Sequence, residues 1–201
     1  MSWLFDADKP LMRSLSIIAD LIILNILTVL CSLPIVTAGA AVTSMYYVAI
    51  RIIRNEDGSM LKDYFHAFRA NFKKATLLWL ILLIATVLLY VDYIAAGLFI
   101  PVLRVGIGAI AVIVLSVSLY AFALLARYEN LLFVTLKNAA VLAVGYFPKT
   151  LGMTVFTLAF WMLSIYFIQY GAPILLMFGL SLPCYVCVLL MNGMFNKLEN
   201  K

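Results

Sequence analysis

Charged side chains are scarce in this sequence. Asp, Glu, Lys and Arg make up 11% of its 201 residues, whereas 66% of the residues are apolar, well above the share of about 45–50% that is usual for soluble domains. A water-soluble domain of this length could not cover so much apolar surface with so few charges. The sequence therefore predicts an all-α, polytopic membrane helix bundle whose side chains face the lipid bilayer or other helices.

Histidine and cysteine are also rare, which argues against several kinds of site. The one histidine, His66, would have to carry any His-rich metal site or Ser-His-Asp arrangement by itself. The three cysteines lie within apolar runs, so no disulfide framework is implied. Cys184 and Cys187 have CxxC spacing, but no second Cys or His pair is present to complete a zinc site. We therefore expect no cofactor, no metal site and no enzymatic activity.

Several apolar runs are long enough to cross a bilayer, which requires about 20 residues in a helix. A less apolar segment, residues 35–53, is also long enough to be a span, and the run that contains Pro183 is predicted to be a kinked helix. We predict six spans, with a five-span chain that has a re-entrant hairpin at Pro34 as the alternative. The predicted spans are residues 14–33, 35–53, 75–99, 105–126, 150–169 and 172–192.

The positions of the basic residues indicate the orientation of the chain. They lie at the ends of apolar runs and not in a stripe with interleaved aromatic residues, so nucleic acid is not an expected partner despite the net charge of +5. If residues 35–53 span, thirteen of the fourteen Lys and Arg residues share one side and only Arg104 lies opposite; if they do not, the division is eleven against three. The positive-inside rule thus favours six spans with both termini in the cytoplasm.

One predicted cytoplasmic segment, residues 60–74, has the period of an amphipathic helix, and a weaker helix is predicted at residues 129–143. An apolar stripe on a cytoplasmic helix is costly to leave in water. We therefore expect the stripe of residues 60–74 to bind either the lipid interface or a partner protein. The stripe consists of Leu61, Tyr64, Phe65, Phe68 and Phe72.

Two acidic residues lie in or near predicted spans. Asp20 is about two turns into the first span, where an unpaired carboxylate costs about 2.5–3.5 kcal/mol. Because the polar side of this helix is predicted to face the second span, we expect Asp20 to pair with Tyr47 or Arg51 and to fix the register of the two helices. A proton or substrate site is the alternative. Asp92 and Arg104 flank the outer end of a hairpin and are expected to pair likewise.

Three stretches resemble the YesL family of small bacterial membrane proteins, and the resemblance runs nearly end to end. The stretches are LPIVTAGAA at residues 33–41, an EDG turn followed by DYFHAFRANFKKAT at residues 63–76, and LLARYENLLFVTLKNA at residues 124–139. The resemblance implies a multi-pass protein of the bacterial plasma membrane, and it implies no reaction. Its motif positions include Pro34, Thr37, Gly39, Arg127, Tyr128, Glu129 and Asn130.

The resemblance also suggests a function. Members of the YesL family are often encoded beside proteins of carbohydrate uptake and polysaccharide breakdown, which implies a non-catalytic accessory subunit that binds the permease subunits of an oligosaccharide ABC importer. A small-solute transporter or channel in its own right, with Asp20 lining the path, is the alternative. The sequence has few of the convergent charged residues that a proton-driven transporter requires, which favours the accessory subunit.

Overall fold

The structure is a computed structural model that describes residues 10–56, 58–99, 102–166, 175 and 177–199. These residues contain seven α-helices and no strand, so the predicted all-α bundle is confirmed. A short 3-10 turn, Ile35–Thr37, separates the first two helices. The helices are α1 (Pro10–Ser32), α2 (Ala38–Arg54), α3 (Met60–Phe99), α4 (Leu103–Arg127), α5 (Leu132–Gly145), α6 (Phe147–Tyr166) and α7 (Ser181–Glu199).

Five helical segments are long and apolar enough to cross a membrane, judged by length and composition. They lie in α1, in the 3-10 turn together with α2, in α3, in α4 and in α6. The weakly apolar segment at residues 35–53 is therefore a helix of sufficient length. Residues 167–169 and 172–174, which belong to the last two predicted spans, lie outside the described residues. The long apolar helices make this chain a membrane protein.

The second helix lies at the centre of the bundle and packs against α1, α3, α4 and α7. Ala40, Ala41 and Ser44 are fully buried, and the Ser44 hydroxyl donates to the carbonyl of Ala40 at 2.7 Å. Small residues let neighbouring helices approach closely, and a hydroxyl bonded within its own helix needs no outside partner. The low apolarity of α2 thus reflects contact with protein on most sides in place of contact with lipid.

The turn before α2 explains three of the family-motif positions. Pro34 is extended (φ −75°, ψ 118°), and the Thr37 hydroxyl lies 2.6 Å from the carbonyl oxygen of Cys31 and 2.8 Å from that of Pro34. Thr37 thereby closes the turn. A Cβ atom at Gly39 would overlap the carbonyl oxygen of Ala75 and the side chain of Trp79. Glycine at this position therefore allows α2 to touch α3.

The third helix is continuous over 40 residues, a length of about 60 Å at 1.5 Å per residue. The predicted amphipathic helix at 60–74 and the predicted span at 75–99 therefore belong to one helix, because no residue near Lys74 interrupts it. The α1–α2 hairpin packs on the first half of α3, where the Tyr64 hydroxyl lies 3.3 Å from the carbonyl oxygen of Ala41. The apolar second half pairs with α4 and is otherwise mostly exposed.

The short helix α5 differs in character from the cytoplasmic helix predicted at residues 129–143. Thr135 and Ala139 are buried, whereas Phe133, Val141 and Val144 are exposed. A helix that is apolar on its exposed side as well as its buried side is suited to contact with lipid and not with water. We infer that α5 faces the bilayer along this side.

The last predicted span is broken and not merely kinked. Residues 175, 177 and 178 are helical, Gly179 and Leu180 form a turn, and α7 begins at Ser181. Pro183 is the third residue of α7, where the N–H that proline lacks would have no acceptor within the helix. Pro183 therefore lies in the first turn of a new helix, three residues after Leu180, and does not kink a continuous one.

One side chain from α1 satisfies the backbone at this break. Asn25 is fully buried, and its Oδ1 accepts hydrogen bonds from the N–H of Leu180 at 2.7 Å and of Ser181 at 3.1 Å. Its Nδ2 donates to the carbonyl of Leu175 at 3.3 Å. The side chain of Asn25 thus joins the first helix to both sides of the break.

The side of the membrane on which the Pro34 turn lies distinguishes the six predicted spans from the re-entrant alternative. If α2 crosses the membrane, which collects thirteen basic residues on one side, a Pro34→Cys variant without the three native cysteines should react with an impermeant thiol reagent from outside the cell. Leu33→Cys, on an exposed neighbour, should behave in the same way, whereas Asn55→Cys should be labelled only from the cytoplasm.

The alternative has a definite geometry. Gly39 lies against Ala75, which follows the basic pair Lys73 and Lys74, so a span of α3 that begins at Ala75 places the Pro34 turn near the cytoplasmic surface. We expect this arrangement, because it leaves the apolar residues 75–97 of α3 to cross the bilayer. Labelling of Pro34→Cys and Leu33→Cys from the cytoplasm alone would establish that arrangement and contradict six spans.

Candidate functional site

Arg51, near the end of α2, is the centre of a charged cluster. Its Nη1 lies 2.5 Å from Asp63 Oδ1, and its Nε lies 3.2 Å from Glu56 Oε2. Glu56 also lies 3.7 Å from Nη1 of Arg54. The side chains of Arg51 and Asp63 are only 22% and 23% exposed, so their interaction is less screened by water than that of a surface ion pair. We call Arg51, Arg54, Glu56 and Asp63 the charged joint.

The loop between α2 and α3 forms this joint for local reasons. Asn55 adopts the left-handed conformation (φ 53°, ψ 40°) that ends α2, a conformation that Asn tolerates better than most residues. The chain then turns back, so that the N–H of Glu56 donates to the carbonyl of Arg51 at 3.1 Å. A Cβ atom at Gly58 would lie within 3 Å of Asp63 Oδ2 and Arg51 Nη2. Glycine at position 58 therefore leaves the Arg51–Asp63 pair the room that it needs.

The predicted pairing of Asp20 with Tyr47 or Arg51 is not seen among the described residues. Asp20 and Arg51 line the same cavity of about 400 Å³, but in the part of the chain that the structure describes no ion pair or hydrogen bond joins Asp20 to Arg51 or Tyr47. Arg51 is engaged by Glu56 and Asp63, which the following loop and α3 bring to it. Tyr47 packs against the apolar core.

The predicted pair of Asp92 and Arg104 does not form among the described residues. Arg104 lies across α3, where its Nε donates to the carbonyl of Tyr93 at 3.4 Å and its Cζ is 5.2 Å from the centre of the Tyr93 ring. A Cβ atom at Gly97 would overlap its guanidinium group. Tyr93 and Gly97 are one turn apart, on the side of α3 that Arg104 crosses. Asp92 lies about 100° from Tyr93 around the helix.

The predicted aromatic stripe divides into an internal and an exposed part. Tyr64 is fully buried, and Phe68 and Phe72 pack against the core. Leu61 and Phe65 remain 50% and 42% exposed. The two exposed residues line a shallow surface depression of about 710 Å³ together with basic side chains. We call Leu61, Lys62, Phe65, His66 and Arg69 the Phe65 surface.

The remaining family-motif positions connect three helices. The Cζ of Arg127, at the end of α4, lies 4.6 Å from the ring centre of Phe195 and 5.7 Å from that of Tyr128, distances at which a cation is attracted to an aromatic face. The carbonyl of Asn130 accepts a hydrogen bond from Lys74 Nζ at 3.3 Å. Glu129 is exposed. This motif therefore attaches the end of α4 to α7 and to α3, which is a structural role.

Comparison with known families shows a domain described as "Protein of unknown function, DUF624" at residues 21–93. The match covers 73 of the 201 residues and extends from the middle of α1 to the second half of α3. It includes Asn25, the Pro34 turn and the charged joint, and it ends before Arg104. Neither the curated proteins nor the solved structures gave a match.

We predict that the joint stabilises the fold through Asp63 and not through Asp20. Asp63→Asn should lower the free energy of unfolding in detergent by about 1–3 kcal/mol, the usual contribution of a charge-assisted hydrogen bond. Asp20→Asn is the matched control and should leave stability unchanged or slightly higher, because it removes a negative charge beside Asp63. Equal losses in both variants would restore Asp20 as a structural partner of Arg51.

Proposed function

We propose that this chain is a non-catalytic accessory subunit of a membrane complex and that it binds its partner through the Phe65 surface. The observation that carries the proposal is the exposure of Leu61 and Phe65 on the first half of α3, beyond the Lys73–Lys74 pair that begins the apolar half. Apolar side chains at such a position are costly to leave in water. A partner protein on the cytoplasmic side covers Leu61 and Phe65.

The packing beneath this surface supports a binding role. The rings of Tyr64 and Phe65 meet edge to face at a centroid distance of 5.7 Å, and Tyr64 stacks on Phe68 at 6.4 Å. Phe65 is thus held on a helix that the core fixes in place. A pre-ordered contact residue loses less entropy on binding than one on a mobile loop. The basic side chains of Lys62 and Arg69 around it would favour an acidic partner surface.

The resemblance to the YesL family supports a particular class of partner. DUF624 is the family that includes YesL-type membrane proteins. We therefore propose a protein of the bacterial plasma membrane, with both termini in the cytoplasm, that assists the permease subunits of an oligosaccharide ABC importer. The first half of α3 then faces the side on which an importer's ATPases act.

One observation favours a second candidate function, that of a small-solute transporter. The cavity beside the charged joint is partly polar and contains Asp20, together with Ser16 and Arg51. An ionisable residue within a span is a functional candidate when it lines a cavity. Under this alternative, Asp20→Asn abolishes transport in proteoliposomes at unchanged stability, whereas the accessory role leaves the importer active in that variant.

The accessory role predicts that a variant can lose partner binding without losing stability. A Leu61→Ser/Phe65→Ser variant should reduce co-purification with the importer permease at least tenfold, because two apolar contact residues typically contribute more than 1.4 kcal/mol together. Its membrane yield and thermal stability should remain normal. The matched control is Leu131→Ser/Phe133→Ser, which makes the same change at exposed positions beside and within α5, and it should keep the partner.

Phe68→Ser distinguishes binding from folding. Since Phe68 packs inside the bundle, this variant should lose stability first. If the Leu61→Ser/Phe65→Ser variant keeps its partner, or if it loses stability as Phe68→Ser does, the Phe65 surface is not the docking site.

A further inference from the structure

A long apolar groove runs between α3 and α4, away from the Phe65 surface and the charged joint. It has a volume of about 520 Å³ and extends from Tyr93 and Ile107 at one end to Trp79 and Phe122 at the other. The described residues that line it all belong to α3 and α4. Between these ends, Gly108, Ala111 and Ser118 contribute small side chains to its wall on α4.

The groove has the dimensions of a single hydrocarbon chain. From Trp79 to Tyr93 is 14 residues of helix, or about 21 Å at 1.5 Å per residue, which exceeds the depth of one leaflet, about half of the 30 Å hydrocarbon core. An extended acyl chain of one leaflet therefore fits along the groove.

A cation lies at the Tyr93 end of the groove. The Cζ of Arg104 lies 5.2 Å from the centre of the Tyr93 ring, and its Nε donates a hydrogen bond to the carbonyl of that residue. Within the described ranges, no carboxylate is placed to form an ion pair with Arg104. From Ala75, after the basic pair, to Gly97 beside Arg104 is about 33 Å along the helix, close to the thickness of the hydrocarbon core. If the span of α3 begins at Ala75, Arg104 lies at the level of the lipid phosphates on the opposite surface.

We propose that this groove binds a glycerophospholipid, with one acyl chain between α3 and α4 and the phosphate held by Arg104. The planar guanidinium group can donate two parallel hydrogen bonds to phosphate oxygens. Gly97 allows Arg104 to lie flat across α3, so that its free edge faces the headgroup region. Tyr90 and Tyr93 line the same end, where aromatic residues are favoured at the membrane surface.

Two glycines on α4 provide a matched test. Gly108 lines the groove and Gly106 does not, and neither has a neighbour within 4 Å of an added Cβ. The full chain is purified in mild detergent and titrated, by native mass spectrometry, with dioleoylphosphatidylglycerol and with dioleoylglycerol, which lacks the phosphate. Gly108→Phe should weaken binding of both lipids about tenfold or more, and Gly106→Phe should bind both as the unmodified chain does.

Arg104→Gln tests the phosphate contact separately. It should weaken binding of dioleoylphosphatidylglycerol about tenfold, the effect of losing one charge-assisted interaction, and leave dioleoylglycerol unaffected. Equal lipid binding by the Gly106→Phe and Gly108→Phe variants would overturn the groove as the acyl site. An equal effect of Arg104→Gln on both lipids would overturn the role of Arg104. Efficient disulfide cross-linking between two copies of a Gly108→Cys variant would assign the groove to self-association and overturn the proposal.

Discussion

The bundle depends on the hydrogen bonds between Asn25 and the break that precedes α7. Inside a membrane, a backbone N–H or carbonyl without a partner costs several kcal/mol, so non-helical backbone persists only where protein satisfies it. Asn25 meets this requirement for Leu175, Leu180 and Ser181 at once. By holding the start of α7 against α1, Asn25 places α2 between the first and the last helix.

The position of α2 in turn determines the other features. Because helices surround α2, small residues are favoured in it. Gly39 lets the backbone of α2 contact the backbone of α3 at Ala75. That approach places Asp63 beside Arg51 and directs Tyr64 into the bundle, which leaves Phe65 outside. The same continuous helix then extends to Tyr93 and forms one wall of the groove with α4. One rigid element therefore carries the proposed partner surface at one end and the proposed lipid site at the other.

The sequence predicted those features that depend on length, apolarity and period. The helical class, the helix at residues 35–53 and the exposed Leu61 and Phe65 followed from such patterns. Ion pairing was not predictable in this way, since the choice of Asp63 over Asp20 as the partner of Arg51 depends on the path of the EDG turn. The break at Gly179 was not predicted. A polar Asn within one apolar span and a Gly-Leu-Ser-Leu-Pro segment in another could together have indicated a break whose backbone the Asn satisfies.

Amide hydrogen exchange at Leu180 and Ser181 tests the central interaction most directly. In the unmodified chain both amides should be protected to the same degree as those in α4. In Asn25→Ala they should exchange at least tenfold faster, since each loses a bond that contributes about 1–3 kcal/mol when a buried partner is removed, while Ile26→Ala, at an exposed neighbour, should change nothing. Equal protection in the Asn25→Ala variant and the unmodified chain would contradict the account that Asn25 closes the bundle.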